Sequence, residues 1–301
     1  MSAMTSAHVR LGVWLALTAT AVIALACGPA AEPSVDQSAP ASNAAPPSGV
    51  ATAQYLANAA ILVTNGGSKV VFDPLFRNDF GSYERVPESM ERALFAGEPP
   101  FDGLDAVFIS HYHQDHFSAI DVLRLLEARP DLRLYAPTQA VAGMREIESS
   151  RLDAVMARVN AIALQYRDAP VSLQHGTLLV EAVRIPHSGW PARQQQVENI
   201  AFRVTLDAET TVVHLGDADA SDAHFAPDGA YWRQRRTDAA FPPYWFFLSD
   251  GGRQVLERRI APTRSIGMHV PKNVPGRPEE REPGLRGHEL FTEPGEVRAI
   301  R

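Results

Sequence analysis

Residues 111–116 read HYHQDH, three imidazoles and a carboxylate in six positions. A histidine that serves a core is usually solitary and satisfies its two ring nitrogens with nearby polar groups. The segment before it, LDAVFIS, is an apolar run of strand length. The segment after it, residues 117–126, carries Ile120, Val122, Leu123, Leu125 and Leu126 and reads as a helix. His111 and His113 are two positions apart at a strand's carboxyl end, so they project to one side and can reach one ion. Asp115 and His116 follow on the turn into the helix, where they can serve a second ion. Strand, ligand loop and helix in this order are a specific metal signal; the plain alternative is a polar surface loop rich in histidine.

The rest of the chain is strands mixed with helices. AQYLANAAILVTNGGSKVVFDP places two apolar runs around NGG, a hairpin signal. LRLYAP reads as a strand, and residues 138–159 carry helical spacing without an internal proline. LLVEAVRIPH, IAFRVTLDAETTVVHLGD and YWFFLS read as strands, GGRQVLERRIAP as a helix, and SIGMHV as a last strand. An α/β (α+β layered) domain over residues 51–301 is expected, in preference to an all-parallel doubly wound sheet.

Upstream of that domain the composition changes twice. Arg10 precedes the uncharged run LGVWLALTATAVIALA, the build of a secretory signal over residues 1–26. Residues 27–50 are mostly Ala, Pro and Ser and read as a disordered tether. The single cysteine, Cys27, excludes an internal disulfide. IALAC resembles the lipobox of bacterial lipoproteins, which implies lipidation at Cys27, export and anchoring to the bacterial cell envelope. The alternative is ordinary cleavage after the A-x-A of residues 24–26. A formal net charge of −7 without a basic run makes nucleic acid an unexpected partner; a small-molecule or lipid-like substrate is expected.

SHYHQDH resembles the H-x-H-x-D-H signature of the metallo-β-lactamase superfamily. The resemblance implies an αβ/βα four-layer sandwich with a dinuclear site on one edge, and three more ligands downstream. These fall on His187 in VRIPHSG, Asp217 in VVHLGDAD and His269 in SIGMHVP. It implies His111, His113 and His187 on one ion, His116 and His269 on the other, and Asp217 between them. Asp115 would orient the attacking hydroxide and take its proton. Two divalent ions, zinc foremost with manganese or iron as alternatives, would lower the pKa of a shared water. Within the superfamily the chain is similar, from residue 51 onward, to the branch of the ascorbate-6-phosphate lactonase-like proteins and the N-acylphosphatidylethanolamine-hydrolysing phospholipase D. Asn58 departs from that branch, which often has His there. The implied activity is hydrolysis of an ester or lactone, or of a phosphodiester.

Several further residues have two readings each. Asp73 in FDP orients a ligand histidine or makes an Asp-Pro turn. His224 faces the cleft or is, more ordinarily, a solvated loop residue, while His8, His175 and His214 are read as non-ligands. Trp190 and the run Tyr244, Trp245, Phe246 line a cleft or belong to the core. Lys272, Arg277 and Arg193 bind a phosphate or are ordinary loop charges. Residues 76–101 form a lid or a solvated insertion with one short helix. No G-x-S-x-G elbow is present, which leaves serine hydrolysis with little support. A non-catalytic envelope scaffold or sensor, and an iron-dependent redox enzyme, are the competing functions.

Overall fold

The computed structural model describes residues 49–300. The 1–26 leader, Cys27 and nearly all of the 27–50 tether lie outside the described residues. Among those residues no helix is long and apolar enough to cross a membrane.

The first sheet is built from β1 (Thr52–Ala57), β2 (Ala60–Asn65), β3 (Ser68–Phe72), β4 (Ala106–Phe108), β5 (Arg133–Pro137) and β6 (Val159–Ile162). The second contains β7 (Val171–His175), β8 (Leu178–Arg184), β9 (Ile200–Leu206), β10 (Thr210–His214), β11 (Ala239–Phe241), β12 (Arg264–Gly267) and β13 (Glu289–Leu290). A final strand, β14 (Val297–Ala299), returns to the first sheet and pairs antiparallel with β1. The orders are β14-β1-β2-β3-β4-β5-β6 and β13-β12-β11-β10-β9-β8-β7. Both sheets change from antiparallel to parallel midway, at β3 and at β10. Parallel neighbours require crossovers, supplied in the first sheet by the helices Ala119–Ala128, Thr138–Arg145 and Leu152–Met156.

Three apolar layers hold this together. Tyr55, Phe72 and Phe108 of the first sheet pack with Phe202, Phe241 and Met268 of the second strand set and its loops, so the sheets face each other. The Phe108 and Phe202 rings meet edge to face at 5.1 Å across that interface. Burying each such ring contributes roughly 1.5–3 kcal/mol. Val107, Ile109 and Leu134 turn to the other face and bury Val122, Leu125, Leu126 and Met144 of the crossover helices. Val213, Leu215 and Ala240 do the same with Phe225, Trp232, Phe246 and Phe247. Helix, sheet, sheet, helix is the four-layer sandwich expected from the sequence.

Three local expectations are corrected. Residues 138–159 are not one helix: it stops at Arg145 and resumes at Leu152. The Arg151 N–H donates to Ser149 Oγ within the intervening ESSR, a local bond that competes with the helical ladder. YWFFLS is not a strand, because β11 ends before Pro242 and Pro243, which have no N–H for a ladder. Trp245–Leu248 instead turns as a short helix that buries Phe246 and Phe247. SIGMHV is not the last strand, since β13 and β14 follow. The 76–101 segment holds one short helix, Glu88–Ala96, closed by Gly97 in the left-handed conformation at φ +68°.

Candidate metal centre

All seven candidate ligands stand beyond the ends of strands on one edge of the sandwich. His111 follows β4, His187 follows β8, Asp217 follows β10, and His269 follows β12. The loop positions are fixed before any side chain is considered. Ser110 N–H donates to Asp73 Oδ1 at 2.7 Å, and Ile200 N–H to the Ser110 carbonyl at 2.9 Å, which pins the histidine loop between the sheets. Asp217 N–H donates to Asn199 Oδ1 at 2.9 Å, while the Asn199 amide donates to the carbonyls of Leu215 and Ile185. The turn that presents Asp217 needs Gly216, at φ +54°: a Cβ there would lie 2.4 Å from Asn199 Oδ1 and 2.7 Å from Ser110 Cβ. His269 itself has φ +56°, with its N–H donating to the Asn58 carbonyl at 2.8 Å. Asn58 and Asp73 are also left-handed, at +48° and +44°. Backbone of this kind costs a non-glycine residue roughly 1–2 kcal/mol, so the surrounding fold enforces it.

The side chains gather in two groups. Ligand atoms of His111, His113 and His187 lie within 4.8 Å of one another, as do those of Asp115, His116, Asp217 and His269. Asp217 joins the groups: Oδ2 is 3.4 Å from His187 Nε2 and 4.0 Å from His111 Nε2, while Oδ1 is 3.2 Å from His116 Nε2 and 3.3 Å from His269 Nε2. Asp115 Oδ2 lies 3.2 Å from His269 Nε2.

Hydrogen bonds behind the rings assign their tautomers. Asp73 Oδ2 can only accept, so it receives His116 Nδ1–H at 2.9 Å and Ser110 Oγ–H at 2.6 Å. With its proton committed, the Ser110 hydroxyl accepts from His111 Nδ1–H at 3.0 Å. His187 Nδ1–H donates to the Ser188 carbonyl at 2.9 Å. In all three rings Nε2 is the nitrogen that faces the cluster, and in the neutral ring it carries the lone pair.

A cation fits these atoms. His116 Nε2, His187 Nε2 and Asp217 Oδ1 are buried without a hydrogen-bond partner, a cost of about 1–3 kcal/mol each when nothing compensates. His111 Nε2 and His113 Nδ1 stand 3.2 Å apart, and the first is a lone pair by the assignment above. Imidazoles with carboxylates suit zinc, manganese or iron. The electrostatics divide along the same line. Burial, with His116 next in weight, holds the His111 imidazole well below its ordinary pKa, and burial with His187 lowers His113. For His116 burial acts in the same direction but is outweighed by Asp217 and Asp115, which hold the ring well above it. Burial pushes the Asp217 carboxyl up, yet His269 and His116 hold it well below the usual carboxylate range. Asp115 is likewise lowered, burial being outweighed by His116 and the His269 contact.

The remaining candidates separate. Asn58 donates to the Asp115 carbonyl at 2.8 Å, so it braces the ligand loops from below. His214 is a satisfied core residue: Nε2–H donates to the Ala59 carbonyl, Nδ1 accepts from Gly216 N–H, and the ring stacks on Phe72. His224 is not a solvated loop residue, being 9% exposed, bonded to the Tyr166 hydroxyl at 2.7 Å and packed near Trp190. Trp245 packs its ring edge-on to His269 at 5.3 Å and donates Nε1–H to the Ala218 carbonyl. Lys272 contributes a backbone N–H to the Ser82 carbonyl and its side chain is exposed. Asn199, Ser110 and Tyr83 were not singled out from the sequence. The first two make backbone-directed bonds that leave no pattern, though Ser110 abuts the histidine motif. Tyr83 comes from the 76–101 segment and sets its ring edge-on to His269 at 4.2 Å. Burial, then Asp217 and Asp115, push its phenol up.

A cavity of about 330 Å³ opens over both groups, lined by Phe80, Ser82, Tyr83, His113, Asp115, His187, Gln194, Asp217 and His269. A buried His/Asp cluster at the edge of an αβ/βα sandwich, beneath such a cavity, is the layout of a metal-dependent hydrolase. The chain belongs to the beta-lactamase superfamily domain family, whose model matches residues 68–242. Solved structures with the same fold include a metallo hydrolase from the hyperthermophilic archaeon Ignicoccus hospitalis, 17% identical with a TM-score of 0.53 over 83% of this chain and 97% of that one. An isothiocyanate hydrolase from Delia radicum gut bacteria is also 17% identical, with a TM-score of 0.53 over 82% and 98%. At these identities the likeness is one of fold. A 147-residue stretch, 47% of this chain, is 26% identical to an octanoyltransferase of Porphyromonas gingivalis. The match spans about a quarter (26%) of that protein's length.

Proposed function

We propose that this protein hydrolyses a carboxylic ester or lactone at a dinuclear metal centre. The observation that carries the reading is the cavity lining, which includes no lysine or arginine side chain among the described residues. A phosphodiester brings a permanent negative charge and is ordinarily met by basic donors. The three candidates for that task are elsewhere: Lys272 is exposed, Arg277 faces Glu280, and Arg193 is absent from the lining. An uncharged substrate asks for no such donor.

In this reading His111, His113 and His187 would hold one ion, Asp115, His116 and His269 the other, and Asp217, which faces both groups, would serve the two. Two divalent ions there supply Lewis acidity and a water of lowered pKa. The chain's own contribution is placement. Asp73 and Ser110 hold the His116 and His111 rings with Nε2 inward, and Asn58 and Asn199 fix the Asp115 and Asp217 loops. Asp115, at the cavity floor beside His269, is placed to accept the proton of the attacking water. The lactone-opening chemistry of that branch fits this better than its phosphodiester chemistry, without the phosphate its named lactonase substrate carries. Cys27 is proposed to carry lipid that anchors the domain to the envelope; incorporation of an alkynyl fatty acid that persists in Cys27→Ser would refute this.

The test is elemental mass spectrometry on protein purified without chelator, together with turnover of γ-butyrolactone, 4-nitrophenyl acetate and bis(4-nitrophenyl) phosphate. About two equivalents of metal are expected, with metal-dependent turnover of the lactone or ester and little of the phosphodiester. Preference for the phosphodiester would overturn the bond assignment, and metal with no hydrolysis of any probe would favour the scaffold or sensor.

A further inference from the structure

We infer that Tyr83 is a further catalytic residue, whose hydroxyl donates a hydrogen bond to the substrate carbonyl oxygen as that oxygen gains negative charge. The inference rests on the ester or lactone reading above. A carbonyl under attack by water places charge on its oxygen, and a preorganised donor at that point stabilises the transition state more than the ground state. Three uncharged side-chain donors line the cavity: Ser82, Tyr83 and Gln194. The Ser82 hydroxyl is turned to the Phe80 carbonyl at 3.4 Å. Gln194 sits in a turn at φ +61°, between exposed neighbours. Tyr83 is half-buried, its ring lies 4.2 Å from the His269 imidazole at 73°, and its hydroxyl has no hydrogen-bond partner among the described residues.

The mounting of Tyr83 is that of a placed group. Residues 77–83 form a strap tied at both ends to the ligand loops. At one end the Arg77 and Asn78 N–H groups donate to the Gln114 carbonyl at 3.3 and 3.1 Å, and the Asn78 amide to Gln114 Oε1 at 3.2 Å. Gln114 is the residue between the histidines and Asp115. At the other end Lys272 N–H donates to the Ser82 carbonyl at 2.8 Å, three residues beyond His269. Between the ties, Asp79 accepts at its carbonyl from the Ser82 and Tyr83 N–H groups and at Oδ1 from Gly81 N–H, and Asn78 Oδ1 accepts from Phe80 N–H. Phe80 is held at φ +49° with its ring 60% exposed on the cavity rim. A strained backbone and an exposed ring, kept by this many bonds, are features of a ligand-facing loop rather than of a solvated insertion.

The experiment compares the metal-loaded parent with Tyr83→Phe, which keeps the ring against His269 and removes only the donor. With γ-butyrolactone and 4-nitrophenyl acetate, kcat is expected to fall by roughly 100-fold, the scale of one lost oxyanion donor, with KM within about a factor of two. Metal content is expected to be unchanged. Titration calorimetry gives a second readout: trifluoroacetophenone, which hydrates to a tetrahedral gem-diol, should lose affinity by a similar factor, while planar acetophenone should not. Tyr83→Phe that keeps more than a third of kcat and of trifluoroacetophenone affinity overturns the inference. So does a fall in kcat accompanied by loss of metal, which would make Tyr83 a packing residue of His269. A parent active only on the phosphodiester overturns the reading on which the inference rests and removes it too; a parent active on ester or lactone with an unaffected variant removes the inference alone.

Discussion

His116 Nδ1 donates to Asp73 Oδ2 across 2.9 Å, and that contact decides which nitrogen of the ring faces the cluster. Through the Ser110 hydroxyl the same carboxylate also sets the His111 tautomer. Asp73→Ala should therefore lower metal affinity by roughly 10–100-fold, the usual consequence of removing a partner behind a ligand histidine. Zinc competition against a chromophoric chelator measures this, with far-UV circular dichroism checking the fold. Parental affinity in the variant would contradict it.

Asp217 faces both groups of ligand atoms, whereas His187 faces one. Asp217→Ala is expected to lose most of both ions on dialysis and His187→Ala mainly one, read by elemental analysis of the dialysed proteins. His111→Ala and Asp217→Ala should each reduce turnover by roughly three orders of magnitude, about 4 kcal/mol in the barrier. Near-parental turnover in either variant would remove these residues from the centre.

Gly216 leaves no space for a methyl group. Its left-handed φ and the 2.4 Å approach to Asn199 Oδ1 both count against any side chain. Gly216→Ala should cost about 3 kcal/mol, from overpacking and backbone strain together. Urea denaturation of the two proteins gives the difference, and a cost below roughly 1 kcal/mol would show that Asn199 yields easily.

Asp121 supplies a pH-dependent contribution outside the centre. Burial pushes its carboxyl up but is outweighed by the hydrogen bonds from Arg77 Nε at 2.7 Å and Ser118 Oγ at 2.5 Å, so the folded value is lowered. A lowered carboxylate stabilises the fold above its unfolded value of about 3.9, and the stabilisation disappears as pH falls through the folded value. Asp121→Asn should be less stable by about 1 kcal/mol at neutral pH, a modest figure because the Arg77 side chain is 42% exposed. The gap should close in acid, once the pH has fallen through that lowered folded value. Thermal unfolding of both proteins from pH 7 to pH 2.5 tests the sign; a gap that widens in acid would reverse the assignment.

The sandwich was legible where periodicity is strong. The NGG hairpin, the run into His111 and the following helix announce themselves by local chemistry, and the loop between run and helix carries four of the seven candidate ligands. Legibility failed where tertiary partners decide. YWFF is apolar and aromatic enough for a strand, but the two prolines before it and the pocket for Phe246 and Phe247 make it helical. β7, β13 and β14 are short or polar edge strands with no alternation to detect. Asn199 and Ser110 are invisible because their work is done on backbone groups distant in sequence. Tyr83 was within a segment suspected of covering the site, yet nothing local marks it against its neighbours.

The pairing of β14 with β1 has a consequence for how the domain comes to exist. Thr52 lies opposite Ala299, and Tyr55 exchanges backbone bonds with Glu296 and Gly295, contacts between opposite ends of the domain's sequence. The first strand to leave the ribosome thus waits for nearly the last before its outer edge is satisfied. Folding with such distant pairings is slow, and a chain caught midway exposes a ready template for strands of its neighbours. Asn58, which fixes the Asp115 and His269 loops, follows directly after that waiting strand. A fragment that ends before β14 would therefore leave open the strand edge that leads into Asn58.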